Sequence, residues 1–109
     1  MSDHNFKKLS MQRWLVATLE LDRESAREAL GKPDLIETDR FAGRRGLEDH
    51  WFFLDDAEQK LQLVYSDRQG HVLVFADPPD LSWVTFKLSS LIDGCEPREV
   101  KPPIQYPSE

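Results

Sequence analysis

Cysteine is nearly absent from this 109-residue sequence: Cys95 stands alone. A single thiol excludes an intramolecular disulfide and a cysteine-rich zinc cage. Long apolar runs are missing too, with none approaching the ~20 residues that span a bilayer. The segment Met1 to Lys8 is polar and leads straight into an amphipathic pattern. It has no basic stretch followed by an apolar core, so no secretory signal is expected. A cytoplasmic protein with no membrane partner is the resulting expectation. The three histidines, His4, His50 and His71, lack the i, i+3 or i+4 spacing of helical metal ligands. The five glycines form no phosphate-binding loop, since Gly43-Arg44-Arg45-Gly46 lacks the Lys-Ser/Thr pair and the strand–helix context. Neither a metal nor a cofactor is expected.

An excess of positive charge is also lacking. The chain carries 14 Lys/Arg against 20 Asp/Glu, a net charge of −6. Residues 1–45 balance to +1, whereas residues 46–109 balance to −7. Such an acidic half disfavours nucleic acid, whose phosphates need a basic surface. It suits a protein partner with a basic surface, although acidity alone also keeps a small domain soluble. With 39% hydrophobic residues, including three Trp and six Phe, the chain can build a core. Its length suffices for one domain and not two.

Met11, Trp14, Leu15 and Leu19 follow helical spacing, so a helix is expected over Ser10–Leu21. Alternation across Trp14, Val16 and Thr18 also suits a strand. Asp22 as N-cap, Glu24 in the first turn, Gly31 after the apolar stripe and then Pro33 define a second helix. From Leu35 the period shifts toward two. Strands are expected at Leu35–Phe41, His50–Leu54, Leu61–Ser66 and His71–Ala76, and Ser82–Leu88 reads as a fifth strand or a short closing segment. A three-residue loop, Arg68 to Gly70, would place Leu61, Leu63, Tyr65, Leu73 and Phe75 together beneath the helices. A four-residue loop would instead group Val72 and Val74 with the large side chains. The expected fold is therefore α+β: an N-terminal helical pair on one face of a four- to five-stranded antiparallel meander. Residues 1–94 would form that domain, and residues 95–109, with four prolines, a loosely ordered extended tail.

The helix end Leu30-Gly31-Lys32-Pro33, Trp51 in a strand, Leu-Gln-Leu-Val-Tyr at 61–65, a glycine turn and His71-Val72 together carry a resemblance. Over Leu21 to Phe75 the order is similar to the small domain shared by BamE-type outer-membrane-assembly lipoproteins and the β-lactamase inhibitor protein. That resemblance implies a helical pair on an antiparallel sheet whose open surfaces bind proteins. It does not extend to lipid anchoring, because Cys95 is in the wrong place.

Catalysis is not expected. Asp49-His50, Asp67 with His71, and Asp55-Asp56-Glu58 are adjacent in sequence only, and the last lacks the glycine of a calcium loop. Cys95 has no companion that would make it a nucleophile. Trp51 and Trp83 are the informative aromatics. Beside Val64 and Val74 on an open face, ringed by Asp55, Asp56, Glu58, Asp77 and Asp80, they would make an aromatic patch with an acidic rim. The expected function is inhibition by protein binding, as in an immunity protein that occludes a toxin's basic cleft. A non-inhibitory adaptor is the alternative, followed by a small-ligand-binding protein.

Overall fold

The computed structural model describes residues 11–38, 47–55 and 58–106. Its elements run β1 (Arg13–Leu19), α1 (Arg23–Leu30), β2 (Leu35–Thr38), β3 (Leu47–Leu54), β4 (Lys60–Ser66), β5 (His71–Asp77), α2 (Leu81–Leu91) and β6 (Arg98–Tyr106). All six strands join one antiparallel sheet, in the order β2-β3-β4-β5-β1-β6. The expected helical pair on a four- to five-stranded meander is thus overturned. The described residues are mostly β, with two short helices far apart in sequence.

Three features explain the difference. In β1, Leu15 faces Phe75 and Ala17 faces Val74, so Val16 is an extra residue, a β-bulge. Trp14 and Leu19 pack on the helix-covered face and Met11 and Leu15 on the opposite one, so the helical spacing of these four does not mark a single face. In α2, Asp80 accepts a hydrogen bond from the Trp83 backbone N–H (3.2 Å), and Val84 and Leu88 are buried one turn apart. This cap outweighs the strand-like run Trp83-Val84-Thr85-Phe86. In β6, the ladder with β1 passes from Ile104 directly to Glu99, so Pro102 and Pro103 sit where pairing lapses. An edge strand tolerates prolines there because no ladder N–H is needed. The proline-rich segment is therefore part of the sheet.

Helix α1 forms as its sequence dictates. Asp22 caps it by accepting from the Ser25 N–H (2.8 Å), and Gly31 takes φ 87° while its N–H donates to the Arg27 carbonyl (2.8 Å). The β4–β5 loop, by contrast, has four residues, because Ser66 pairs with His71 and Tyr65 with Val72. The three-residue register is corrected accordingly. Leu61, Leu63 and Tyr65 share the helix-covered face with Val72 and Val74, whereas Leu73 and Phe75 point to the other side.

The main core lies between the sheet and both helices: Ala26 from α1, Val84 and Leu88 from α2, and Ala17, Leu19, Trp51, Leu61, Leu63, Val72 and Val74 from the strands. A smaller cluster on the second face joins Leu15, Val64 and Phe75 to Leu73, Val100 and Tyr106. Tyr106 meets Phe75 edge-on at 5.1 Å, and the Arg13 guanidinium lies 4.7 Å from the same ring.

Candidate functional site

The residues expected to form one aromatic, acid-rimmed patch fall in three places. Trp51 is central in β3 and 1% exposed, its indole N–H donating to the Gly31 carbonyl at 3.1 Å beneath the end of α1. Val74 is buried under the helices and Val64 is buried on the second face, a separation that follows from the four-residue loop. Trp83, Asp55, Glu58, Asp77 and Asp80, however, do converge at one end of the sheet. The Trp83 indole donates to Asp55 Oδ2 (2.9 Å), and Asp80 caps the same helix. Asp77 closes β5 opposite Lys60, and its carboxylate accepts the Gln12 N–H (2.9 Å). Glu58 is exposed in the β3–β4 turn, with its N–H on the Asp55 carbonyl (2.9 Å). Asp56 and the Gly43–Gly46 loop lie outside the described residues.

Above this acidic end, α2 turns an unusual side outward. Ser82, Thr85, Phe86, Ser89 and Ser90 are all exposed, and none is charged. Phe86 is 71% exposed, the largest value among the exposed large hydrophobics. Helix α1 presents the opposite character, with Glu24, Arg27 and Glu28 exposed. An outer helix face normally carries charge, as α1 does. Exposed Asp80 and Asp93 bracket α2 in sequence at its two ends. An uncharged strip with a projecting aromatic and acidic surroundings has the composition of an interface centre and rim. By residue type alone Phe86 could be absorbed in the core. The signal that distinguishes it is phase: within a helix, Phe86 is out of step with Val84 and Leu88.

The pairs considered for acid–base chemistry are separated by the fold. Asp49 and His50 alternate to opposite faces of β3. Asp49, fully buried, accepts from Arg23 Nη1 (2.7 Å), Arg27 Nε (2.7 Å) and Arg27 Nη2 (2.9 Å), and so ties α1 to the sheet. Asp67 does not face His71. It accepts the Leu47 N–H (2.9 Å) and pairs with Arg23 (2.9 Å). The Leu47 N–H first, and Arg23 second, hold its carboxyl below the usual range. Burial, reinforced by Glu96, pushes the Cys95 thiol up, which leaves it poorly nucleophilic.

A polar cluster that sequence reasoning passed over occupies the second face at β2 and β3. Glu48 and His50 are two apart on β3, and Glu37 lies opposite Glu48 on β2. His50 Nε2 is 3.2 Å from Glu48 Oε1 and 3.6 Å from Glu37 Oε1, while His50 Nδ1 meets Gln62 Nε2 at 2.9 Å. His50 is 2% and Gln62 4% exposed. Helical ligand spacing would not reveal this group; the strand period of two brings Glu48 and His50 together, and only the β2–β3 pairing adds Glu37.

No protein-family model, curated protein or solved structure matches the chain.

Proposed function

We propose that this protein acts by binding another protein, one with a basic surface, and that it masks that partner as an immunity protein masks a toxin. The outer face of α2 supports the reading best. In a chain with 31% charged residues, it offers an uncharged strip around an aromatic that is 71% exposed. Burying such a ring supplies the central apolar contact of an interface, while the acidic residues around α2 steer a basic partner toward it. The contact surface differs from the patch expected from sequence: Phe86 replaces Trp51 as the aromatic, and Trp83, one turn earlier on α2, holds Asp55. Binding rather than catalysis, in the cytoplasm, is part of the same proposal. Among the described residues no helix is long and apolar enough to cross a membrane.

The test is affinity capture from the native host with the wild-type protein and with Phe86→Asp, followed by mass spectrometry and reconstitution. Phe86→Asp should leave the fold intact, since exposed positions usually change stability by less than ~0.5 kcal/mol. A basic protein should be retained by the wild type and lost by the variant, and its own activity should stop when the complex forms. Retention that is equal in both proteins would remove α2 from the interface. A partner that keeps full activity in the complex would make this an assembly module instead.

A further inference from the structure

We propose that Glu37, Glu48 and His50 form a binding site for a divalent transition-metal ion of the zinc class. Their three donor atoms all lie within 4.8 Å of one another, and no other described His, Cys, Asp or Glu residues form such a group. An ion about 2.1 Å from each donor, with donor–metal–donor angles between right and tetrahedral, sets donors roughly 3.0–3.5 Å apart. The imidazole Nε2 stands 3.2 Å and 3.6 Å from the two carboxylates, close to that spacing. It is longer than the ~2.7–2.9 Å of a tight charge-assisted hydrogen bond. Small shifts of two glutamate side chains would therefore complete the coordination.

The backbone makes this arrangement stiff. Two donors share one face of β3 and the third lies across the β2–β3 ladder, where Glu37 faces Glu48 and Ile36 faces Asp49. Asp49, between the two β3 donors, is locked from the opposite side by Arg23 and Arg27. Gln62 holds the ring from behind at Nδ1. When an ion occupies Nε2, Nδ1 carries the proton, and a half-turn of the Gln62 amide presents its carbonyl oxygen as acceptor. That is the outer-shell partner metal-bound histidines ordinarily have.

The donor set selects the ion. Magnesium and calcium favour six or more oxygen ligands, whereas a site containing an imidazole suits zinc and its neighbours. Two carboxylates neutralise the dication. The histidine side chain is 3% exposed while Glu48 and Glu37 are 17% and 30% exposed, so an ion enters from the carboxylate side.

The experiment titrates chelator-stripped full-length protein with Zn²⁺ alone, and separately with Mg²⁺, by calorimetry and by NMR of the imidazole nitrogens. Zn²⁺ should bind at one equivalent with micromolar or tighter affinity and shift the His50 Nε2 resonance, leaving His71 unmoved. Mg²⁺ should not compete. Glu48→Gln keeps size and hydrogen-bonding capacity but removes the anionic donor, and should weaken Zn²⁺ at least tenfold. The NMR arm needs no variant, so a misfolded mutant does not blur the outcome. Absence of micromolar binding, a stationary His50 resonance, or unchanged affinity in Glu48→Gln would each overturn the proposal and leave a purely internal hydrogen-bonded cluster.

Discussion

Replacing Asp49 by Asn removes one charge from the most heavily bonded side chain that joins α1 to the sheet. The carboxylate accepts three hydrogen bonds from two guanidiniums and is itself fully buried. Hydrogen bonds to charged groups each contribute about 1.5–3 kcal/mol, and breaking a buried pair costs about 3–5 kcal/mol. The side chains of Arg23 and Arg27 remain 24% and 41% exposed, so water takes over part of their solvation. The lower end of that range, about 3 kcal/mol, is therefore expected. In a domain of this size each kcal/mol moves Tm by about 4–8 °C, so the fall should be about 12–24 °C. Thermal and urea unfolding measure it, and an unchanged urea m-value would show that the two states keep their compactness. Arg27→Gln alone should cost less, and the double variant should be clearly non-additive. A Tm drop under ~3 °C for Asp49→Asn would show that the clamp is not what holds α1.

Three further outcomes follow from the sheet. Leu63→Ala empties a fully buried site and should cost about 2–5 kcal/mol, with Leu73→Ala, half-exposed on the second face, costing clearly less; equal costs in chemical unfolding would contradict the four-residue loop. Deleting residues 96–109 removes β6 and Tyr106 from Phe75, and calorimetry should show Tm lowered by about 10 °C or more. A change of ~2 °C would make β6 dispensable. Asp67 has a lowered pKa in the folded state, so its contribution is present above the unfolded value of ~3.9 and fades as pH falls through the folded value. The stability gap between wild type and Asp67→Asn should accordingly be constant near neutrality and close below pH ~4; a gap that persists in strong acid would refute the charge assignment.

Helix α1 and strands β3 to β5 were legible in the sequence because their signals are local: a cap at Asp22, a glycine at 31, and short alternating runs. The failures at β1 and β6 share a cause, namely that long-range pairing decided them. Residues 13–19 become a strand only because β5 and β6 flank them, and the bulge at Val16 hid the period of two. The prolines of β6 read as an extended, loosely ordered tail until an edge position makes them acceptable. Helix α2 carried its own start signal at Asp80, but aromatic and β-branched residues masked it. Site residues divide along the same line. Asp55, Glu58, Asp77, Asp80 and Trp83 gather at one end of the sheet because they are close in the β3–β4–β5–α2 order. Val64 and Val74 are separated by a hairpin register that a single loop residue reverses, and Trp51 shares the helix-covered face of its partner Leu63. The Glu37–Glu48–His50 group needed the β2–β3 pairing to be seen at all.

The place of β1 inside the sheet, next to the edge strand β6, has a consequence for how the chain reaches its folded state. Its two neighbours are β5 and the terminal β6, and the contact between Gln12 and Gln105 spans 93 residues. During synthesis, β1 can pair with β5 once residues 71–77 have emerged, but its other edge stays open until β6 follows. Topologies dominated by such distant pairings fold slowly and expose strand edges meanwhile. A chain truncated before β6 leaves the Arg13–Leu19 edge open to other molecules. Docking of β6 is thus the event that covers the second edge of β1.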